Sequence, residues 1–322
     1  MDNLLLLDTS ISSLNRGDDI IMECVRKELS YLLERHFVLT LPTHVSAFHW
    51  YQVYRGLARV KRYEDCALKF VGGTNLLVKN MLTYYPQWNV NIFNYRPIRG
   101  CILVGVGAGA GEKTNFYTKL LYRKMLNKEY YHSVRDERSK EFVESLGLKA
   151  IDTGCPTMWC LTPEFCKAIP TRKANRVVFT LTPPTNKDAK DQMLIDTLLE
   201  CYGKVFFWVQ GDRDYDYLNS FENTNRIEII APTKQAYHEL LQQEDLDYVG
   251  TRLHAGIYAI RHKKRAIIIA IDERARGINA SNNLNCIEKE DIYNLGQYIN
   301  SNIETNIKMP FEAIAQWKRQ FM

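Results

Sequence analysis

The sequence predicts an α/β protein of two doubly wound domains facing each other across a cleft. Three observations carry that prediction. Short apolar runs of strand length alternate with helical segments from end to end, the pattern of parallel sheets covered on both faces. The alternation is interrupted once, between Cys155 and Lys173, by a segment with three prolines and little periodicity, and then restarts. At 322 residues the chain is long enough for two domains of ordinary size.

In chain order, 4–9 reads as a buried strand, and the Asn15-Arg16-Gly17-Asp18-Asp19 turn leads into an amphipathic helix ending near Arg35. Strand 37–41 is followed by an aromatic helix over 44–62, then strand 68–71 runs into Gly72-Gly73-Thr74-Asn75. Strand 101–106 ends in a glycine-rich turn; helix 114–128, strand 131–134, helix 137–146 and strand 149–152 complete the half. Beyond the connection come strand 176–181, helix 188–202, strands 204–209 and 226–230, helix 233–243, strand 248–249, helix 254–262 and the apolar strand 266–271. Helices near 290–299 and 310–321 close the chain. The expected boundaries are therefore an N-terminal domain over 1–157, a linker over 158–173, a C-terminal domain over 174–309, and a final helix over 310–322 that packs back on the first domain. In doubly wound folds ligands sit beyond the carboxyl ends of strands, so the loops after strands are where chemistry is to be sought.

Composition narrows the function classes. With 46% hydrophobic residues each half can bury a normal core. The balance of 42 Lys+Arg against 37 Asp+Glu, net +5, is too mild to point to nucleic acid and better suits a locally basic pocket for a small anion. Eight cysteines scattered through core segments fit a reducing compartment. Cys155, Cys160 and Cys166 lack CxxC spacing and a nearby His, so no metal is expected. Asp2 stands where a signal peptide carries positive charge, and the Leu run after it is short. No apolar stretch approaches the roughly 18 residues that span a bilayer. The expected location is cytoplasmic, at most peripheral to the inner membrane surface.

The run Gly105-Val106-Gly107-Ala108-Gly109-Ala110-Gly111-Glu112-Lys113-Thr114 resembles a nucleotide loop superficially. Counted back from Lys113, a Walker A match fails because Glu112 would put a carboxylate against the phosphates. The dinucleotide fingerprint lacks a well-placed acid after a proper βα unit, although Ala110 is tolerated at its third position. A tight strand-to-helix turn needing positive φ accounts for the glycines.

A different segment carries the chemistry. In Gly250-Thr251-Arg252-Leu253-His254-Ala255-Gly256, between a strand and a helix, Arg252 and His254 are two apart and in an extended approach project to one side. His254 lies near a helix N-terminus, which favours anions; Arg supplies a planar fork for carboxylate or phosphate and His a proton near neutral pH. Asp272-Glu273-Arg274-Ala275-Arg276-Gly277, read as a second basic-acidic turn, and Ser133-Val134-Arg135-Asp136-Glu137-Arg138-Ser139, which opens a helix, also sit at strand ends. Together these are expected to form a pocket for a small, multiply charged anion. The same residues also admit a plain reading: Asp136 and Ser139 as helix caps, Arg274 and Arg276 as solvated loop charges, His254 as a buried histidine at a helix start.

Gly250-Thr-Arg-Leu-His-Ala-Gly-Ile-Tyr-Ala, followed one strand later by Ile-Ala-Ile-Asp272, resembles the signature of polysaccharide pyruvyl transferases. Four further blocks resemble the family in the same order: Asn15-Arg-Gly17-Asp18, Gly72-Gly73-Thr-Asn75-Leu-Leu, Val134-Arg135-Asp136-x-x-Ser139 and Thr153-Gly154-Cys-Pro156-Thr. The resemblance implies a GT-B-like pair of Rossmann-like domains with no cofactor or obligatory metal. It also implies transfer of the pyruvyl group of phosphoenolpyruvate to two hydroxyls of a sugar, giving a cyclic ketal in an exopolysaccharide, capsule or cell-wall glycan precursor. It implies His254 and Arg252 as catalytic residues, with Arg252, Arg274 and Asp272 of the C-terminal side binding phosphoenolpyruvate and Arg135 helping from the facing domain. Asn15, Gly17, Asp18, Gly72, Gly73 and Asn75 are expected in acceptor loops of the N-terminal domain. Where members carry a Tyr-Asp-x-Lys-type block, this chain has Ile271-Asp272-Glu273-Arg274; Arg keeps the charge and changes the geometry.

Expected partners are phosphoenolpyruvate and a sugar or lipid-linked oligosaccharide, with no nucleic acid. Phe48-His49-Trp50-Tyr51 through Tyr54, with Arg55, Arg59, Lys61 and Arg62, is aromatic and basic, suited to stacking on sugar rings or to an anionic membrane surface. Core packing is the alternative for these residues and for Tyr84, Tyr85, Trp88 and Tyr95. A GT-B glycosyltransferase using a nucleotide sugar and a non-catalytic carbohydrate- or anion-binding scaffold are the rival functions.

Overall fold

The computed structural model describes residues 2–82, 87–109 and 113–322. Tyr84 and Tyr85, and Ala110, Gly111 and Glu112 of the glycine-rich run, lie outside the described residues. The chain forms two compact units: Met1–Ser13, Ile21–Trp159 and Pro310–Met322 make the first, Leu14–Ile20 and Cys160–Met309 the second. Among the described residues no helix is long and apolar enough to cross a membrane.

In the first unit β1 (Asn3–Asp8), β2 (Phe37–Pro42), β3 (Leu68–Gly72) and β4 (Ile102–Val104) form a parallel sheet in the order β2-β1-β3-β4. Leu4 to Leu7 on β1 are all fully buried, which explains the unbroken apolar run: a strand paired on both edges and covered on both faces has no solvent side to pattern. Strands β5 (His132–Val134) and β6 (Ala150–Asp152) pair in parallel. The helices are α1 (Gly17–Glu28), whose first turn groups with the second unit, α2 (Ser30–Leu33), α3 (Trp50–Tyr54), α4 (Ala58–Glu64), α5 (Phe116–Met125) and α6 (Glu137–Ser145). The single helix expected over 44–62 is two short ones, because Gly56 between them takes φ 59°. The C-terminal helix Phe311–Arg319 belongs to this unit. Its buried Trp317 donates from Nε1 to the Tyr131 carbonyl at 2.8 Å and packs edge-on against Phe70 and Trp159.

Between β4 and β5 the backbone ladder shrinks to one bridge, Val106 to Val134, and side chains replace it. The Leu103 N–H donates to His132 Nδ1 at 3.2 Å, and the Gly105 N–H to Ser133 Oγ at 2.8 Å. His132 Nε2 bonds the Asn127 carbonyl at 2.9 Å. An acceptor at Nδ1 and a donor at Nε2 require the neutral imidazole.

In the second unit six parallel strands run β12-β11-β10-β7-β8-β9: β7 (Arg176–Thr180), β8 (Lys204–Trp208), β9 (Ile227–Ile230), β10 (Leu246–Gly250), β11 (Ala266–Ala270) and β12 (Cys286–Glu288). Read from β9, the order is third, second, first, fourth, fifth, sixth, the Rossmann arrangement, in which the chain reverses direction across the sheet between its first and fourth strands. Helices α7 (Pro163–Lys167), α8 (Ala189–Cys201), α9 (Asp214–Asn219), α10 (Lys234–Gln242), α11 (Leu253–Arg261), α12 (Glu273–Asn282) and α13 (Leu295–Ile299) complete the unit. The residues read as a turn through Gly277 are helix α12, started by the Asp272 carboxylate accepting from the Arg274 and Ala275 N–H groups.

At the amino ends of β10 and β11, Asp247 and Arg265 form a buried ion pair at 2.7 Å. Asp247 also accepts from the Tyr202 hydroxyl, and Arg265 donates to the carbonyls of Ile299 and Ser301. This pair ties strands to the ends of α8 and α13, away from the edge where ligands bind in such sheets.

Burial holds the His132 imidazole down to about 4 from an ordinary 6.5. The unfolded chain therefore takes up a proton that the folded chain refuses between those values. This contribution to stability is full above about pH 6.5 and is lost as pH falls toward 4. Urea unfolding at about pH 5 should show about 2 kcal/mol less stability from this group than at neutrality. His132→Gln should be less stable at neutrality and lack that increment of pH dependence. An unchanged pH slope in the variant would show that His132 is not the titrating group.

Candidate active site

The reversal in the second sheet lies between β7 and β10, and their carboxyl ends carry Thr180-Leu181-Thr182 and Gly250-Thr251-Arg252. Two adjacent strands whose following connections leave in opposite directions open a crevice there, the usual ligand position in this fold. Gly250 is required for the strands to close beneath it, since a Cβ would meet the Thr180 carbonyl oxygen at 2.7 Å.

Arg252 is fixed from three sides. Its N–H donates to Thr180 Oγ1 at 3.4 Å, its Nε to the Leu181 carbonyl at 3.1 Å, and its Nη2 to the carboxylate of Asp214. Asp214, the first residue of α9, is fully buried and also accepts from the backbone N–H groups of Gln210 and Gly211 at 3.2 and 2.8 Å. Burial pushes the Asp214 carboxyl up, against the Arg252 charge and the backbone donors. Gly211 keeps space for the guanidinium: a Cβ there would stand 2.5 Å from Arg252 Nη2. Asp214 was not among the sequence candidates, because it sits on a six-residue helix with no motif and no periodicity to mark it.

His254 is the second residue of α11 and is buried; Arg252 is the residue preceding that helix, with φ −89° and ψ 102°. The extended alternation expected to align the two side chains does not apply, because helical geometry begins at Leu253.

The Asn15-Arg16-Gly17-Asp18 turn joins the same region. Asn15 pairs with Gly211 in an antiparallel bridge, the Arg16 N–H donates to the Gln210 carbonyl at 2.9 Å, and Asn15 Oδ1 accepts from Gln210 Nε2 at 2.7 Å and the Gly17 N–H at 3.0 Å. Asn15, Gly17 and Asp18, expected with the first domain, thus group with the second unit, because their backbone pairs with the loop after β8.

Arg274 and Asp272 are one arginine–carboxylate pair at the start of α12, at 2.6 Å and partly exposed. Burial pushes the Asp272 carboxyl up, but the Arg274 charge and the two capping N–H groups outweigh it, and the net shift is downward. Arg276 is occupied by Glu273 and Glu288.

The first unit gathers its own polar cluster. Arg135, buried at the end of β5, donates from Nη2 to Asn75 Oδ1 at 2.6 Å and from Nε to Asp136 at 3.3 Å. Asp136 caps α6 through the Ser139 N–H and hydroxyl, and the Ser139 Oγ accepts from the Ala108 N–H. The glycines serve close approach. A Cβ on Gly107 would lie 2.4 Å from Arg135, one on Gly73 would lie 2.4 Å from the Gly105 carbonyl, and Gly105 itself takes φ +62°. A Cβ on Gly72 would strike the Met22 sulfur. Of the aromatic candidates, Trp88 is core, Phe48 and Tyr95 pack against the core, and Trp50, Tyr51 and Tyr54 are exposed.

Comparison with solved structures gives the class first. The chain aligns over 100% of its length with a Staphylococcus aureus MnaA–UDP co-structure (96% of that chain, TM-score 0.57, 11% identity). It aligns equally fully with the Rickettsia bellii UDP-N-acetylglucosamine 2-epimerase (95% of that chain, 0.55, 12%) and the Methanocaldococcus jannaschii UDP-GlcNAc 2-epimerase complex with UDP-GlcNAc and UDP (99%, 0.52, 11%). At these identities the likeness is one of fold: α/β, with two Rossmann-like domains of GT-B type. The sequence profile of polysaccharide pyruvyl transferases matches residues 15–273, and the chain belongs to that family. No curated protein sequence gives a significant match.

Removing Arg252 would leave the Asp214 carboxylate buried without its counter-charge, a loss of about 3–5 kcal/mol. Arg252→Ala should therefore show a large fall in urea-unfolding stability, and Arg252→Ala/Asp214→Asn should recover much of it. Equal stability of wild type and Arg252→Ala would refute the pairing.

Proposed function

We propose that this protein transfers the pyruvyl group of phosphoenolpyruvate to two hydroxyls of a sugar in a glycan precursor, forming a pyruvate ketal and releasing phosphate. The observation that carries this reading is Arg252. Within one of the five family blocks, it stands at the switch point of a Rossmann-ordered sheet with its guanidinium clamped in place. Its Nε and Nη2 are committed to Leu181 and Asp214, which leaves Nη1 to take a phosphate or carboxylate oxygen. The N-terminal turn of α11 adds backbone donors for the same anion.

In this reading His254, as imidazolium, protonates the methylene carbon of phosphoenolpyruvate and leaves an oxocarbenium-like centre at the adjacent carbon. One sugar hydroxyl adds there. The C–O bond to phosphate breaks, phosphate leaves, and the second hydroxyl closes the ring. Of the two hydroxyl protons released, one returns to His254 and the other departs with phosphate. Arg252 orients the leaving phosphate, and Arg274 with the backbone donors at the start of α11 balances the charge that grows on it. Asp272 acts through Arg274, which it holds. Arg135 and Asn75 form a preset polar pair at the strand ends of the first unit; Arg135 is assigned here to phosphoenolpyruvate and Asn75 to the acceptor. No cofactor enters the scheme.

The UDP complexes among the fold relatives motivate a second arm for the test, a nucleotide-sugar donor. Incubation with phosphoenolpyruvate and a panel of galactosides, glucosides and mannosides should release phosphate and add the mass of a pyruvate ketal. Release of UDP from a UDP-sugar, without phosphate release, would replace the proposal with glycosyl transfer. Binding of phosphoenolpyruvate with no turnover on any acceptor would replace it with a non-catalytic scaffold. His254→Gln should lower turnover by roughly 10² to 10⁴-fold, the usual worth of a general acid, with the fold retained. Wild-type turnover in that variant would remove His254 as the acid.

A further inference from the structure

One surface of the first unit is not used by the chemistry above. Helix α3 is a turn and a half long, and only Val53 on it is buried. Trp50, Tyr51 and Tyr54 stand 63%, 45% and 58% exposed, and Leu57 beyond them 43%. The rings form one cluster: Trp50 meets Tyr54 at 6.4 Å and Tyr51 at 6.2 Å, and Tyr51 stacks on His49 at 5.5 Å. Three large aromatics displayed together on solvent cost hydration free energy that core packing would recover, and such patches mark interaction surfaces.

The charge beside the cluster is mostly positive. From Val45 to Asp65 the chain carries Arg55, Arg59, Lys61 and Arg62 against Glu64 and Asp65 at the end of α4, and all four cations are exposed. Helix α4, which bears three of them, packs on the 3-10 turn Arg96–Ile98. The residue after that turn, Arg99, lines a concavity of about 490 Å³ with Arg123, Lys124 and Lys128; Glu129 is its one acid. Arg99, Arg123, Lys124 and Lys128 thus form a second basic patch beyond that turn.

We propose that this face docks the protein on an anionic bilayer, with the Trp50, Tyr51 and Tyr54 rings in the headgroup layer and the α4 cations on lipid phosphates. Tyr and Trp favour the membrane–water interface because each joins an apolar body to a polar tip, and clustered cations add attraction to a negative leaflet. A second copy of the chain is a poorer occupant, since a two-fold contact through this face sets four cations against four. A neutral sugar ring would use the aromatics and leave the cations without a purpose. The inference does not depend on the pyruvyl-transfer reading.

The test is flotation of the full chain with vesicles of phosphatidylglycerol in phosphatidylcholine, against phosphatidylcholine alone. Binding should require the anionic lipid and be reversed by salt. Trp50→Ala/Tyr54→Ala and Arg59→Glu/Lys61→Glu should each lower the bound fraction at least about ten-fold, with melting temperatures unchanged because every substituted side chain is exposed. Absence of flotation, or equal flotation with neutral vesicles, would overturn the proposal. So would concentration-dependent dimers in sedimentation that the Trp50→Ala/Tyr54→Ala variant abolishes, which would assign the face to a second copy. A raised KM for a soluble sugar with vesicle binding intact would assign it to the acceptor.

Discussion

The candidate site rests on one interaction, the ion pair between Arg252 and the fully buried carboxylate of Asp214. A carboxylate without access to water is expensive, and its attraction to a guanidinium offsets that cost only with further hydrogen bonds in good geometry. The structure supplies them: two backbone N–H groups from the loop after β8 hold the acid, and the Leu181 carbonyl holds the base. Three strand ends, those of β7, β8 and β10, are thereby locked to one another through a single pair of side chains. Gly211 and Gly250 follow from the same constraint, because any side chain at either position would collide with what the pair or the strands require. The Asn15 turn, bridged to Gly211, completes the ring of contacts. By contrast, the more deeply buried Arg265–Asp247 pair lies at the opposite ends of the strands, with Arg265 Nη2 on two carbonyls and Tyr202 on its acid. Two pairs of the same chemistry thus divide between a structural role and a candidate functional one according to which edge of the sheet they occupy.

The first unit solves a similar problem with different residues. Its buried guanidinium, Arg135, has an amide and a neighbouring carboxylate as partners. Room for it comes from Gly107, and the loop that carries Gly107 is pinned by backbone bonds to Thr74 and Leu77. This explains why the sequence there imitates a phosphate-binding loop. Close approach of backbone to a large planar cation and close approach of backbone to a pyrophosphate both demand glycine, and spacing alone does not distinguish them.

Much of this was legible in the sequence, for identifiable reasons. Strands buried on both faces read as continuous apolar runs, so β1, β7 and β11 stood out; β10, read only over 248–249, was seen short because Asp247 interrupts its apolar pattern, yet the Arg252 block was visible because it joins a strand to a helix. What the sequence hid depends on contacts distant along the chain. Asp214 gains its importance from a partner 38 residues away, and Asn15 joins the second unit through a loop 195 residues away. Local signals also misled where one residue redirects the backbone: Gly56 splits α3 from α4, whereas Gly277, read as part of a turn, lies inside α12. Trp50 and Trp88 have the same composition signal; one is exposed and the other is core, a distinction that only packing makes.

The pairing of Arg252 also constrains what the site can contribute to the chemistry proposed for it. A guanidinium neutralised by a buried carboxylate supplies little net positive charge to an incoming dianion. Its contribution is direction: a planar donor held so that the remaining nitrogen presents its N–H groups at a fixed place above the switch point. Charge balance on the phosphate must then come from elsewhere, from the backbone donors at the start of α11 and from Arg274, whose own carboxylate is more solvent-exposed than Asp214 and therefore screens less expensively. An ammonium could not replace Arg252 in this scheme. It has no fork with which to hold the Leu181 carbonyl, the Asp214 carboxylate and a ligand oxygen in three fixed directions at once. The requirement for arginine at this position is therefore geometric before it is electrostatic, and it follows from Asp214 rather than from the ligand.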